Sequence, residues 1–321
     1  MNDKRLSPRV LSSIANNKIV APLNLELIVA DHCNIACRQC NHASPIVKKW
    51  NASVEETQRT LTLLADVFRC KTLRILGGEP LLNPNLVDII LIAKQSGIGD
   101  AVQLTTNGML LDRLSDEGWT ALDEIEISLY ETSKLTEAKI DAFKRKGKQF
   151  HTRVNVSKYP NFRMTFSSQT SDNTALVEDI WQACKMANVW ACYSLRDGTL
   201  HRCPQSIYIS EFADGNFGDE GFKLAGRAQL QDDLLAFLNA PGPLKSCRNC
   251  VGSSGKKIEQ TDLTRRTWKT DLDKPLEDMV DFDLLEQAKK ESNIIDDCRT
   301  PLRKKRILSK FAKKIRSFSV G

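Results

Sequence analysis

Residues 23–40 read LNLELIVADHCNIACRQC, a strand-like segment followed directly by three cysteines. The first eight residues alternate apolar and polar side chains, the period-two pattern of a half-buried β-strand. Cys33, Cys37 and Cys40 then fall within one short loop. The stretch therefore predicts a strand that delivers three thiols to a single place at its carboxyl end.

Strand-like and helix-like segments alternate beyond this loop. The predicted strands are residues 23–30, 72–76, 101–105, 124–129 and 153–156, and helices are predicted at 53–68, 85–95 and 134–146. Ser53 and Glu56 form a capping box at the first of these helices. Repeated β/α units imply parallel strands with right-handed crossovers, and such sheets carry their chemistry at the carboxyl ends of the strands. We therefore expect an α/β fold with its active site at that edge.

Each predicted strand ends in a polar or glycine-rich motif. The second is followed by Gly77-Gly78-Glu79-Pro80 and the third by Thr106-Asn107-Gly108, while Ser128 lies on the fourth. A [4Fe-4S] cluster normally takes four thiolates, and so does a closed structural zinc site. Three thiolates in a tight loop leave one iron without a protein ligand, which is a vacancy that a small molecule can occupy.

These motifs resemble the radical S-adenosylmethionine (SAM) superfamily. Cys33, Cys37 and Cys40 match its cluster signature, and the turn at residues 77–80 matches its SAM-binding GGEP. The resemblance implies a partial (β/α)6 TIM-type barrel and a [4Fe-4S] cluster whose open iron binds SAM. It also implies a set of SAM contacts: Gly77, Gly78, Glu79, Pro80, Thr106, Asn107, Ser128 and Arg153.

The physical chemistry of the GGEP turn fits that role. Two glycines let backbone carbonyls approach the methionine amine, and Glu79 can take up its positive charge. Gln39 departs from the superfamily, which usually has an aromatic residue before the third cysteine, and this leaves the adenine-packing contact unassigned. A zinc loop followed by an unrelated glycine turn is the alternative interpretation.

A second group of cysteines follows the predicted barrel. Residues 190–204 form a predicted hairpin about Asp197-Gly198, which sets Cys192 opposite Cys203. Opposed residues have Cβ atoms about 4.5–5.5 Å apart, so both sulfurs can reach one metal centre. Cys247 and Cys250 supply a second pair, completing four ligands. Structural zinc is the rival occupant because the same spacings suit it.

This second group resembles the twitch or SPASM-type domain that binds an auxiliary [4Fe-4S] cluster in many radical SAM enzymes. The gap between Cys192 and Gly198 is shorter than is usual in that domain. The spacing from Cys184 to Gly198 fits better, so Cys184 is an alternative first ligand. If Cys184 is not a ligand, it is a candidate hydrogen donor to a substrate radical. Helices are predicted at 174–187, which contains Cys184, and at 229–239.

Composition sets the remaining expectations. Hydrophobic residues make up 41% of the 321-residue chain and charged residues 27%, and no apolar run approaches the roughly 20 residues of a membrane span. Residues 301–321 hold eight Lys or Arg and no acid, so the net charge of +6 belongs to this tail. The tail has an amphipathic helical pattern that could bind an anionic surface or carrier. With no export signal, a cytoplasmic protein is expected, and its ten cysteines favour cluster ligation over disulfides.

The sequence thus predicts four regions: an N-terminal extension (1–22), a radical SAM core (23–160), an auxiliary-cluster domain (174–255) and a C-terminal extension (256–321). The resemblance implies that a flavodoxin or ferredoxin supplies an electron, that SAM is cleaved to a 5′-deoxyadenosyl radical, and that this radical abstracts a substrate hydrogen. Oxidation or epimerisation of a carbohydrate-like or aminocyclitol-like small molecule would follow. Modification of a ribosomal peptide is the alternative substrate, and a zinc-containing RNA-binding protein is the alternative from another class.

Overall fold

The computed structural model describes residues 9–213, 215, 217–290 and 300–301. Its strands are β1 (Ser13–Ala15), β2 (Lys18–Val20), β3 (Asn24–Ala30), β4 (Phe68–Gly77), β5 (Gly99–Thr106), β6 (Glu124–Tyr130), β7 (Arg153–Tyr159), β8 (Asn161–Arg163), β9 (Tyr193–Arg196), β10 (Thr199–His201), β11 (Phe222–Lys223), β12 (Lys257–Glu259) and β13 (Thr300–Pro301). Its α-helices are α1 (Val54–Val67), α2 (Leu86–Ser96), α3 (Asp116–Ala121), α4 (Glu137–Gln149), α5 (Thr174–Ala183), α6 (Lys185–Asn188), α7 (Gln205–Ile209), α8 (Leu230–Asn239), α9 (Arg265–Leu272), α10 (Leu276–Met279) and α11 (Phe282–Lys290).

Six adjacent strands of the main sheet run parallel, in the order β9-β3-β4-β5-β6-β7. The predicted alternation of strands and helices from β3 to β7 is confirmed, and with it the α/β fold with a parallel sheet, as in a partial TIM-type barrel. The sixth parallel strand is β9, which pairs with β3 at the opposite side of the sheet from β7. Two strands that lie far apart in the chain, β3 and β9, are therefore neighbours in the parallel part of the sheet.

Local sequence explains the first β/α unit. The Ser53 side chain accepts a hydrogen bond from the Glu56 backbone N–H, so the predicted cap starts α1. Leu61 and Leu64 on the inner face of this helix are fully buried against the sheet. Burial of this apolar face stabilises the helix on the sheet, because a helix of this length is marginal in water by itself.

Alternation along the strands separates an apolar face from a polar face. Leu25, Leu73, Leu104 and Ile125 are buried in the core under the helices. Their strand neighbours point to the opposite face, and those in register with one another form a polar row: Ser194, Glu26, Arg74, Gln103, Glu124 and Arg153. TIM-barrel interiors are usually filled with branched apolar side chains. The polar row instead lines part of a cavity on the concave side of the sheet.

The cysteine-rich region continues the main sheet. The predicted hairpin forms as β9 and β10, and Asp197 and Gly198 take the positive φ values that its two-residue turn requires. The predicted helix 174–187 is interrupted at Cys184, whose extended backbone separates α5 from α6. Because β9 is hydrogen bonded to β3, residues 174–255 share the sheet of the core, and the predicted boundary at 174 remains a prediction.

The chain after residue 255 covers the carboxyl end of the sheet. Strand β12 pairs with β8, and helices α9 to α11 follow. The predicted N-terminal extension contains the β1–β2 hairpin, which joins the sheet where β2 pairs with β4. The basic amphipathic tail lies outside the described residues from residue 302 onward. No α-helix in the described part of the chain combines the length and apolarity needed to cross a bilayer.

Candidate functional site

Three cysteines line a cavity of about 350 Å³ at the carboxyl end of the parallel strands. The loop after β3 brings Cys33, Cys37 and Cys40 to one wall, and these are its only cysteines among the described residues. Burial raises the pKa of the Cys33 thiol to about 12 and also raises the pKa values of Cys37 and Cys40. The free thiols are therefore protonated at neutral pH, and cluster binding would release their protons.

The chemistry of these donors suits an iron–sulfur cluster with one open iron. Thiolate sulfur is the usual cluster ligand, and three thiols on one cavity leave the rest of that cavity for a bound molecule. In the described ranges, no three His, Cys, Asp or Glu side chains are spaced to hold a single metal ion.

The GGEP turn is packed directly against the strand that precedes the cysteine loop. A Cβ atom on Gly77 would lie 2.2 Å from the Ala30 carbonyl oxygen, and one on Gly78 would lie 2.3 Å from that of His32. The Gly78 N–H donates to the Ala30 carbonyl at 2.7 Å. Glycine is therefore required at both positions for the close approach of two backbones. Both glycines also line the cavity.

Glu79 does not have the predicted contact with the cavity. Its side chain is fully buried, with its oxygens accepting hydrogen bonds from the Thr106 hydroxyl at 2.7 Å, the Asn107 N–H at 2.9 Å and the Leu81 N–H at 3.2 Å. Burial raises the pKa of this carboxyl. Glu79 thus ties the GGEP turn to the motif after β5, and the adjacent Pro80 is buried behind it at the start of a 3-10 helix.

The predicted polar residues of β5 and β6 do reach the cavity. Thr106, Asn107 and Ser128 line it. The Asn107 side-chain amide donates to Asn34 Oδ1 at 2.7 Å and lies 3.6 Å from Cys33 Sγ, so it holds the cysteine loop in place.

Arg153 does not reach the cavity, although it was predicted to contact SAM. It lies level with Glu124 at the start of its strand and donates to that carboxylate at 3.1 Å, whereas Ser157 is the residue level with Ser128. Four residues of strand separate the two levels by about 13 Å.

The second group of thiols surrounds a small cavity of about 40 Å³, lined by Cys184, Cys203, Cys247 and Cys250. The break between α5 and α6 turns Cys184 toward this cavity, and Gly252 packs against its sulfur. The Gly252 N–H donates to Cys250 Sγ at 3.3 Å. Arg9 and Arg202 line the same cavity, and their positive charges would offset the negative charge of a bound cluster.

Cys192 lies outside this lining, although the hairpin pattern predicted it as the first ligand. The ladder between β9 and β10 ends at the pair Ser194–His201, two residue pairs before Cys203 would face Cys192. The Cys192 N–H instead donates to the Met186 carbonyl. The alternative ligand weighed in the sequence, Cys184, is the cysteine that shares a cavity with the other three.

Comparison with known proteins identifies the barrel region. The sequence model of the Radical SAM superfamily matches residues 27–158. Residues 27–158 form a radical SAM domain. This domain contains the cysteine loop, the GGEP turn and the polar residues of β5 and β6 described above. The superfamily implies a [4Fe-4S] cluster and SAM as cofactors.

Curated relatives of the radical SAM domain bear the name GTP 3′,8-cyclase. The protein of Chlorobaculum tepidum is 36% identical over 106 residues, which cover 33% of this chain and 32% of that protein. The relative in Mycobacterium tuberculosis is 33% identical over 132 residues (38% and 36%), and that of Saccharolobus solfataricus, a probable cyclase, is 33% identical over 144 residues (43% and 45%). The chain thus matches about a third of the length of the first of these relatives.

Solved structures show more distant likeness. BtrN in complex with AdoMet and 2-DOIA is 14% identical, with a TM-score of 0.40, over 71% of this chain and 92% of that chain. Streptococcus suis SuiB bound to S-adenosylmethionine is 21% identical, with a TM-score of 0.34, over 44% and 34%.

Sequence reasoning missed several groups beside the radical SAM cavity. Tyr130, Tyr159 and Phe162 form an aromatic wall, and the first two fall two residues beyond Ser128 and Ser157 on the same strand faces, a signal that alternation could have given. The Gln39 side chain turns away from the cavity. Its Oε1 accepts hydrogen bonds from the Thr165 and Phe166 N–H groups. Residues 260–271 also contact the cysteine loop, for example where the Trp268 indole N–H donates to the Cys37 carbonyl. No local pattern in the sequence predicts these contacts.

Proposed function

We propose that this chain is a radical SAM enzyme whose first cluster is held by Cys33, Cys37 and Cys40. The observation that carries the proposal is the single cavity shared by these three thiols and the GGEP glycines. When bound, the cluster and SAM would supply reductive cleavage to a 5′-deoxyadenosyl radical able to abstract hydrogen from an unactivated carbon. The remaining roles belong to residues of this chain.

Residues around the cavity would orient the bound molecule and exclude water. The backbone of Gly77 and Gly78 lines the cavity and would face the methionine portion. Ser128 would contact the ribose or carboxylate, whereas Thr106 and Asn107, whose side chains bind Glu79 and Asn34, would hold the wall of the cavity in place. The aromatic wall of Tyr130, Tyr159 and Phe162 adds apolar surface to the cavity, which would keep water from a reactive radical.

A second [4Fe-4S] cluster would occupy the other group of thiols, with Cys184, Cys203, Cys247 and Cys250 as ligands. Four thiols on one cavity supply a full ligand set, and two arginines line the same cavity. Cys184 is then not free to return hydrogen to a substrate radical. The remaining cysteine of the region, Cys192, lies about 20 Å from the level of Ser128, six strand residues away. We therefore favour oxidation or ring closure over thiol-dependent epimerisation.

The concave side of the sheet supports a polar small molecule as substrate. An open cavity of about 830 Å³ extends from the polar row to the cysteine cavity, and four residues line both: Leu76, Thr105, Ser128 and Tyr159. Arg74 lines the larger cavity, and its buried Nε has no hydrogen-bond partner among the described residues. An unpaired Nε–H on a charged guanidinium group that lines a cavity can donate to an anion.

A sugar derivative with an anionic group is the substrate class that fits these features. Carbohydrates and aminocyclitols meet the requirement for polarity, and a phosphate or carboxylate would pair with Arg74. The names of the curated relatives describe GTP, which combines a sugar with phosphates, so a nucleotide falls in the same class. A ribosomal peptide is the second substrate candidate, and a zinc-containing RNA-binding protein is the rival from another class. A flavodoxin or ferredoxin would supply the electron.

Reductive cleavage of SAM is the direct test. After anaerobic reconstitution the protein should hold about eight iron atoms, the content of two [4Fe-4S] clusters. With dithionite it should convert SAM to 5′-deoxyadenosine, measured by chromatography. Bound zinc with no labile sulfide and no 5′-deoxyadenosine would refute the proposal.

Arg74→Gln tests the substrate class. Loss of a charged hydrogen bond costs about 1.5–3 kcal/mol, so binding of GTP or glucose 6-phosphate, measured by calorimetry, should weaken about tenfold or more. Binding of guanosine, which lacks phosphate, should not change. Arg69→Gln is the matched control, because Arg69 lies on the same strand but pairs with Asp100 at the exposed surface. Equal affinity of the Arg74 variant and the parent for both anions would contradict the assignment.

A further inference from the structure

A segment far beyond the radical SAM domain is bound to the cysteine loop. The Arg38 N–H donates to the Thr261 carbonyl at 2.7 Å, and the Leu263 N–H donates to the Ala36 carbonyl at 2.9 Å. Cys37 and Asp262 form the bridge between these bonds. Residues 260–263 therefore run as an added strand-like segment along the loop, although the family match ends at residue 158.

Helix α9 fixes the same loop from a second direction. The Trp268 indole N–H donates to the Cys37 carbonyl at 2.8 Å, and its ring is almost completely buried. The Arg38 guanidinium binds both oxygens of Asp271, at 2.9 and 2.7 Å, and the Gln39 amide donates to one of them. Cys37 is thus held on its main chain by groups from residues 261–268.

One side chain from this segment reaches the Cys37 sulfur itself. Gln260 is buried, and its Nε2 lies 3.2 Å from Cys37 Sγ. Its Oε1 accepts the Thr132 backbone N–H at 3.2 Å, which can only donate, so the oxygen of the amide must face Thr132. The orientation of the amide is therefore determined by its partners, and the NH2 group must face the sulfur.

The rest of the network agrees with that orientation. Gln260 Nε2 also lies 3.1 Å from the Thr132 hydroxyl oxygen, which it uses as an acceptor. That hydroxyl donates its own proton to Asp262 Oδ1 at 3.1 Å, leaving its lone pairs for the amide. The Gln260 main-chain N–H donates to the Pro160 carbonyl at 3.0 Å. The side-chain oxygen, the main-chain N–H and one amide proton of Gln260 each have a defined partner. The second amide proton is left for the sulfur.

We propose that Gln260 is a positioning residue that sets the reduction potential of the first cluster through its hydrogen bond to Cys37; this inference rests on the proposed function. An N–H donor stabilises negative charge on a cluster sulfur, and the reduced cluster carries one more negative charge than the oxidised one. The bond therefore favours reduction and raises the potential. Residues outside the radical SAM domain thus complete the electron-accepting site.

Two variants of Gln260 test the direction of this effect. Gln260→Leu removes the donor, and Gln260→Glu keeps an oxygen for Thr132 but presents a second oxygen to the sulfur. Both should shift the midpoint potential of the first cluster downward, the Glu variant further. In an electron paramagnetic resonance titration, the ratio of reduced to oxidised cluster at fixed potential should fall about tenfold, which corresponds to 59 mV for one electron. The signal that changes on SAM addition identifies the first cluster.

A remote glutamine provides the control. Gln231 makes a comparable long-range bond, to the Asn17 carbonyl, and its replacement by Leu should leave the potential unchanged. Full iron content with an unchanged midpoint in Gln260→Leu would overturn the inference while leaving SAM cleavage and the proposed function intact. If Gln260→Leu loses iron, the isosteric Glu variant decides, since an unshifted or raised midpoint there overturns the inference as well. Absence of any cluster in the parent protein would instead overturn the proposed function.

Discussion

Replacing Cys33, Cys37 and Cys40 together by alanine is expected to abolish formation of 5′-deoxyadenosine. The three thiols share one cavity, and the described residues place no further cysteine there that could substitute for them. The second group of thiols lies in a separate cavity and keeps its own ligands. The triple variant should therefore retain about four of the roughly eight iron atoms in the parent, which is the content of one [4Fe-4S] cluster.

The measurements are iron and sulfide content and SAM cleavage under dithionite. Cys70→Ala is a useful control, because Cys70 is a buried cysteine of β4 outside both cavities. It should cleave SAM at the parental rate. Continued cleavage by the triple variant would remove the basis for assigning these cysteines to the SAM-binding cluster.

Cys184→Ala is expected to lose the iron of the second site, whereas Cys192→Ala should keep it. Cys184 lines the second cavity with Cys203, Cys247 and Cys250, and Cys192 does not. Removal of one of four thiolates leaves an incomplete set, so about four iron atoms should be lost. Both substitutions replace a cysteine by alanine, Cys184 being buried and Cys192 partly buried, so the two variants control for each other's effect on packing.

Iron content and circular dichroism of the two variants decide between these ligands. The far-ultraviolet spectra should match the parent in both cases, since neither substitution removes a hydrogen bond between two main-chain groups. Loss of iron in Cys192→Ala together with full iron in Cys184→Ala would reverse the assignment and restore Cys184 as a candidate hydrogen donor. The reaction in D2O then gives a second readout, because a thiol donor would leave one solvent deuteron on the product.

Local patterns explain why much of the fold was predictable. Alternation identified β3 through β7 because each strand has one face in the core. The Ser53 cap and the Asp197-Gly198 turn depend on residues three or fewer positions apart, and both form as expected. The prediction of one helix at 174–187 was wrong in one respect, because the backbone is extended at Cys184, whose sulfur packs against Gly252, and two helices form instead.

By itself, the sequence determined the parallel α/β core and the grouping of Cys33, Cys37 and Cys40, because these depend on residues adjacent in the chain. Only the tertiary structure decided the side-chain roles that require distant contacts. Glu79 faces inward because Thr106 and Asn107 supply donors to it, and Arg153 lies too low on its strand because register fixes its level. Gln260 reaches Cys37 across 223 residues of chain. Such contacts depend on how separate elements pack, and no periodicity or spacing within one segment records them.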